Sequence, residues 1–244
     1  MRDDPVQVSA EALARLKTAA TSSLATLLLK RGLRNQYVQG ARLIGPGPRH
    51  MAGPAFTLRY IPAREDIDVV ESFRDPKHAQ RVAVETVPPG HVLVMDCRRD
   101  ASAASGGSIL FTRLEVRGCA GVVTDAGVRD VDTIATLSMP CFAAGPSAPT
   151  NLSKHHAIDM NVPIGCGGAP VYPGDIMVGD SDGVIVVPAH LADEIAAEVG
   201  PMEAFEEFAL AEMRAGRSVI GTYPPNADAE ARYLAYQAGE YRPG

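Results

Sequence analysis

Between residues 105 and 130 the chain reads as loop, helix, strand and charged turn, with glycine at each change of direction. Ser105-Gly-Gly-Ser108 leads in, and Ser108 is the predicted N-cap of a helix running to Arg117, with Ile109, Leu110, Leu114 and Val116 as its apolar contacts. Gly118 stops that helix, and Gly121-Val-Val123 follows as a short buried strand. A helix that stops in glycine and leads straight into such a strand needs a sheet to receive it. The run therefore predicts a β-α-β-like unit, and with it a mixed α/β fold. It ends in adjacent Arg129 and Asp130.

The flanking sequence adds elements of both kinds. Ser9 is a candidate cap for a short amphipathic helix, and a second helix is predicted from about Ser22 to Lys30, ending at Gly32. Residues 33–52 read as loop, Ala55 to Ile61 as a strand, and residues 64–86 as a helical segment interrupted near Pro76. Pro89-Gly-His-Val-Leu-Val-Met-Asp96 is echoed by Pro173-Gly-Asp-Ile-Met-Val-Gly-Asp180. Each is a Pro-Gly turn feeding an apolar strand that ends in Asp, so both are expected in one β-rich core. Val131 to Leu137 is a predicted short helix, and Pro140-Cys-Phe-Ala-Ala a further strand. Ser181-Asp-Gly is a hairpin signal with Asp180 and Asp182 as turn residues. A long helical pattern runs from Leu191 to Ala215, with a break expected near Gly200-Pro201 and apolar residues Phe205, Phe208, Leu210 and Met213 expected to pack on a neighbour. Residues 221–244 read as an extended or partly disordered arm.

The chemistry concentrates at Arg129 and Asp130. Arginine presents a planar fork of donors that fits a carboxylate bidentately, and aspartate is a ligand for a hard divalent cation. From the residues alone two readings stay open, a surface salt bridge and a substrate clamp beside a metal. Gly106-Gly107-Ser108 ahead of a helix offers free N–H groups to an anion, or else is a tight glycine turn. His155 and His156 are a tempting base or ligand pair, but neighbours in sequence point apart, so a surface loop is the better expectation. Asp125 is expected to orient Arg129.

These pieces together resemble the signature of the RraA-like family, which includes 4-hydroxy-4-methyl-2-oxoglutarate aldolases, oxaloacetate decarboxylases and the regulator of ribonuclease activity A. The matching residues are Gly106-Gly-Ser-Ile-Leu110, Arg117-Gly118, Gly121-Val-Val123, Asp125 and Arg129-Asp130, with Gly53-Pro-Ala-Phe-Thr57, Cys166-Gly-Gly168 and Asp180 to Pro188 in support. The resemblance runs from about Thr21 to about Gly216. It implies a single α/β domain of the swivelling β/β/α type over residues 1–244, with an N-terminal helix over 1–20 and a C-terminal arm over 217–244.

It also implies a lyase that cleaves a pyruvate-derived 2-oxo acid, by retro-aldol cleavage or oxaloacetate decarboxylation, through a metal-stabilised pyruvate enolate. Arg129 would be catalytic and clamp the substrate, with Gly107, Ser108, Ile109 and Leu110 as the substrate loop. Asp130 would hold Mg²⁺ or Mn²⁺. A glutamate from the C-terminal helix of an adjacent subunit enters such sites; Glu206 is the nearest match and Glu207 the next, though both read equally well as a solvated helix face. The resemblance implies a homotrimer or a hexamer built from trimers.

One position departs from the pattern. The family's aldolases carry an acid twenty-one residues before the arginine, and this chain has Ser108 there. A hydroxyl is neutral and a weaker ligand for a hard cation than a carboxylate. Three outcomes follow: Asp130 and water hold the metal alone, another carboxylate substitutes, or the aldolase chemistry is weakened or lost. The competing readings are a non-catalytic regulator with a protein partner, and a lyase for a different sugar-acid. A methyltransferase finds no support, since no glycine-rich methyl-donor loop follows a first strand.

Composition narrows the partners. A net charge of −6 and the absence of Trp argue against a nucleic-acid binder. Cys97, Cys119, Cys141 and Cys166 form no C-x-x-C pair, and buried free thiols are expected. The first residues lack the apolar core of an export signal, and no apolar run reaches membrane-spanning length, so a cytoplasmic location is expected.

Overall fold

The computed structural model describes residues 7–46 and 50–244. They form two compact units, Met1–Ala196 and Ala197–Gly244. The first opens with helices α1 (Ala10–Thr18) and α2 (Thr21–Lys30) and strands β1 (Arg42–Leu43) and β2 (Met51–Pro62). A 3-10 turn (Val70–Arg74), α3 (Ala79–Thr86), β3 (Val92–Asp96), α4 (Ser108–Val116) and β4 (Gly121–Thr124) follow. Then come β5 (Gly127–Val128), α5 (Val131–Ile134), β6 (Cys141–Ala143), β7 (Gly145–Pro146), β8 (His155–Met160), β9 (Ile176–Asp180) and β10 (Gly183–Val187). Helix α6 (Ala192–Arg214) starts in the first unit, and α7 (Ala227–Gln237) lies in the second.

The sheet order is β1-β6-β4-β3-β2-β9-β10, with β8 also pairing β2. The two echoed Pro-Gly strands are two of the three partners of β2: Val92 of β3 lies opposite Ala55, and Ile176 of β9 opposite Pro54. Gly90 and Gly174 take φ of 76° and 87° in the turns that launch them, a conformation that costs other residues. Gly53 is needed between them for close approach, because a Cβ there would lie 2.4 Å from the Gly90 carbonyl oxygen.

Strands β3, β4 and β6 are parallel and buried on both faces. Their side chains alternate between two cores, as the two-residue period of a strand dictates. Leu93 and Met95 join Phe111, Leu114 and Val122 on one face, while Val92, Val94 and Val123 join Phe142 and Met177 on the other. Helix α4 covers the first face and delivers the chain to β4 as predicted. The four cysteines are free and buried.

Several sequence expectations change. The 33–52 stretch is not all loop: it holds β1, and β2 already begins at Met51. His155 and His156 sit on a strand, not a surface loop. They do point apart: His155 is fully buried and accepts from the Arg98 guanidinium at 3.1 Å, whereas His156 meets the Asp68 carboxylate at 2.7 Å. Burial and the Arg98 charge hold His155 below its usual pKa, which keeps it neutral. Helix α6 carries Pro201 without a break.

The C-terminal arm contains α7, because Asn226 caps it through Ala229 N–H at 2.9 Å and Asp228 and Glu230 favour its first turn. In this second unit Phe208 packs on Tyr233 and Tyr236, so the apolar face of α6 meets the chain's own tail. Glu212, fully buried there, is paired by Arg217 at 2.6 Å and Arg232 at 2.9 Å. No helix among the described residues is long and apolar enough to cross a membrane.

Candidate active site

The loop ahead of α4 runs beside the segment after β4. Ser105 N–H donates to the Gly127 carbonyl at 2.8 Å, and Arg129 N–H donates to Gly106 at 3.1 Å. Gln80, buried on α3, donates its amide to the Ser105 carbonyl at 2.7 Å and fixes the loop from behind. These bonds bring two regions, separated by a helix and a strand in sequence, into register.

At their meeting point Ser108 is not the N-cap. Gly107 holds that position without a side-chain bond. Asp130 supplies the missing acceptor: its Oδ2 takes the Ser108 amide at 3.1 Å and the Ser108 hydroxyl at 3.0 Å. A carboxylate at the start of a helix satisfies an orphan N–H and complements the helix dipole. Asp130 does so from the left-handed backbone region, φ 62°, where aspartate is tolerated better than most residues. Arg129 Nε stands 3.7 Å from the same oxygen, and both side chains remain open to solvent, at 46% and 42% exposure.

Gly107 completes the fit. Its φ of −150° suits any residue, so its role is steric. A Cβ there would lie 2.8 Å from both Arg129 Cγ and Asp130 Oδ2. Gly107→Ala is expected to displace the Arg-Asp pair and lower kcat/KM at least about tenfold, with a small change in melting temperature. Unchanged kinetics in a steady-state assay would show that the close approach has no role.

A cavity of about 370 Å³ opens here, within the range of small-molecule sites. Gly107, Ile109, Leu110, Arg129 and Asp130 line it, as do residues that sequence reasoning missed: Phe73, Gln80, Arg81, Thr150 and Asn151. Nothing in sequence spacing links the 70–81 segment to the Arg-Asp turn; only the α3 packing does. Ser108 is not in the wall, and acts on the site through Asp130. Glu206 belongs to the second unit, where it accepts from the Tyr223 hydroxyl at 2.8 Å.

Asp125 does not orient Arg129. Its buried carboxylate accepts from the backbone N–H groups of Cys97 (2.7 Å), Arg99 (3.0 Å) and Gly167 (3.0 Å). It pins the loop after β3 to the glycine turn at 166–168. Asp125→Ala would leave three donors without an acceptor, at roughly 1 kcal/mol or more each. The expected fall in melting temperature is therefore about 6 °C or more, and a shift under about 2 °C in a thermal melt would contradict this account.

Among the described residues no three His, Cys, Asp or Glu side chains gather at one point. Among the described residues Asp130 is the single carboxylate on the cavity wall. One carboxylate suits a cation of the Mg²⁺ type, which keeps several of its waters and takes as few as one or two protein carboxylates.

The chain is 35% identical over 126 residues to a Halalkalibacterium halodurans protein named "Putative 4-hydroxy-4-methyl-2-oxoglutarate aldolase"; the match covers 51% of this chain and 59% of that protein. The matched segment thus spans less than two thirds of that relative. The crystal structure of Streptomyces coelicolor RraAS2, an unusual member of the RNase ES inhibitor RraA protein family, superposes with a TM-score of 0.74 at 29% identity, covering 83% of this chain and 97% of that one. An uncharacterized protein from Pseudomonas syringae pv. tomato shares the fold, with a TM-score of 0.78 at 24% identity over 91% of this chain and 97% of that one. Residues 19–186 match the family model of RraA-like proteins, described as Aldolase/RraA, and the chain belongs to that family.

Proposed function

We propose that the protein is a divalent-metal-dependent lyase that cleaves a carbon–carbon bond of a pyruvate-derived 2-oxo acid. The candidate reactions are retro-aldol cleavage of the 4-hydroxy-4-methyl-2-oxoglutarate type and decarboxylation of oxaloacetate. The observation that carries the reading is the convergence of Arg129, Asp130 and the start of α4 on one cavity.

Arg129 binds the carboxylate next to the substrate carbonyl and orients that carbonyl. The N-terminal end of α4, approached through Gly107, favours the oxygen that gains negative charge. In the retro-aldol reaction the hydroxyl proton at carbon 4 leaves, the bond between carbons 3 and 4 breaks, and its electron pair becomes the enolate of pyruvate. In decarboxylation the same pair is left by departing CO₂. Mg²⁺ or Mn²⁺ held by Asp130 would supply a Lewis acid for the enolate oxygen. Protonation at carbon 3 then releases pyruvate. Glu206, from a neighbouring copy in a trimer or hexamer, is the proposed proton carrier.

The test is pyruvate release from both substrates, coupled to lactate dehydrogenase, with Mg²⁺, with Mn²⁺ and with EDTA. Cation-dependent release supports the reading, and no release from either substrate removes it. The second reading is a protein-binding regulator. It is favoured by Ser108 in the acid position and by the likeness to the ribonuclease inhibitor family member. It predicts no turnover and no cation dependence.

A further inference from the structure

We propose that Arg81 receives a second anionic group of the substrate, making the cavity selective for 2-oxo diacids over 2-oxo monoacids. This deepens the function proposed above and rests on Arg129 holding the carboxylate beside the carbonyl.

Arg81 comes from α3 and Arg129 from the turn after β5, yet both line the same cavity. Arg129 has Asp130 within ion-pair distance, whereas Arg81 has no carboxylate within 4.0 Å among the described residues. Its guanidinium carbon lies 4.5 Å from the centre of the Phe73 ring, and Phe73 is itself a wall residue. The ring attracts the cation through its face, and the guanidinium keeps N–H groups that can donate to an anion.

The charges on the wall are two arginines against one aspartate. Burial lowers the Arg81 pKa, Tyr60 opposes that, and the like charge of Arg129 lowers it further, so the two cations sense each other across the site. Arginine stays protonated regardless, so the repulsion is a cost of the empty cavity. A monoacid neutralises one cation, and a diacid neutralises both. The wall also presents Val70, Ala104, Ile109 and Leu110, which suits a short hydrocarbon link joining two charged ends.

The experiment uses a matched pair of five-carbon probes, 2-oxoglutarate (diacid) and 2-oxopentanoate (monoacid). Each is titrated calorimetrically into the full chain at fixed Mg²⁺. The parent protein is expected to bind the diacid about tenfold or more tightly, the scale of one charge-assisted bidentate contact. Arg81→Leu, which keeps an apolar side chain against Phe73, should bring the ratio close to one by weakening the diacid. Arg81→Lys should keep part of the preference and shows whether charge alone suffices. Equal binding of both probes by the parent, or a ratio that survives Arg81→Leu, overturns the proposal. Arg129→Ala separates it from the reading on which it rests. A common loss of both probes in that variant supports Arg129 as the shared carboxylate clamp. Retention of both in Arg129→Ala sinks that clamp, while the diacid ratio still reports on Arg81. Failure of the diacid to bind the parent overturns both.

Discussion

Arg129→Ala lowers kcat/KM for pyruvate release by about 10²–10³, the range seen when one donor to a developing charge is removed. The melting temperature should stay close to the parent. The side chain is 46% exposed, and substitution at such a position usually changes stability by no more than about 0.5 kcal/mol. The backbone bond from Arg129 N–H to Gly106, which holds the loop, survives the change. Steady-state kinetics and a thermal melt on one preparation separate the two effects. Turnover within threefold of the parent would remove Arg129 from the chemistry.

The second large effect is expected at Ser108→Asp. The serine hydroxyl lies 3.0 Å from Asp130 Oδ2 and donates to it. A carboxylate in its place can donate nothing and faces a like charge, so one of the two must bind a proton or both must move apart. In EDTA the variant should melt several degrees below the parent. A divalent cation reverses the sign, because two carboxylates then share it. At a Mn²⁺ concentration about 100-fold above Kd the gain is about 2.7 kcal/mol, or roughly 5–10 °C for a chain of this size. The parent, with one carboxylate, should gain much less. Identical melts with and without Mn²⁺ would show that positions 108 and 130 do not form a cation site.

Much of this architecture is legible in the sequence, and the failures share a cause. The α4–β4 unit is readable because its signals are local: Gly107 before the helix, Gly118 after it, and an apolar run behind. Both Pro-Gly strands and the hairpin at Asp182 are found for the same reason. Capping at Ser108 is misread because the acceptor is Asp130, twenty-two residues away in the chain. The same device recurs at α2, where Asp180 takes the amide and hydroxyl of Thr21 at 2.8 Å from 159 residues away. Rules for caps look three residues along the helix and cannot see a carboxylate brought in by the sheet. Arg81, Phe73 and Gln80 are invisible for a related reason. They belong to a helical segment whose place beside the Arg-Asp turn is decided by tertiary packing, not by any pattern of spacing. Asp125 shows the converse error: proximity in sequence suggested Arg129 as its partner, and the fold gives it three backbone amides instead.

The pyruvate enolate is common to both proposed reactions, and it also forms from pyruvate itself by loss of a methyl proton. The most direct test of the account is therefore exchange of the pyruvate methyl protons in D₂O, followed by proton NMR with Mg²⁺ present. It needs no knowledge of the distal half of the natural substrate. The parent protein is expected to speed loss of the methyl signal well above buffer, EDTA to suppress that loss, and Arg129→Ala to return it to background. Exchange at the buffer rate by folded parent protein with Mg²⁺ would contradict the assignment of this cavity as a lyase site.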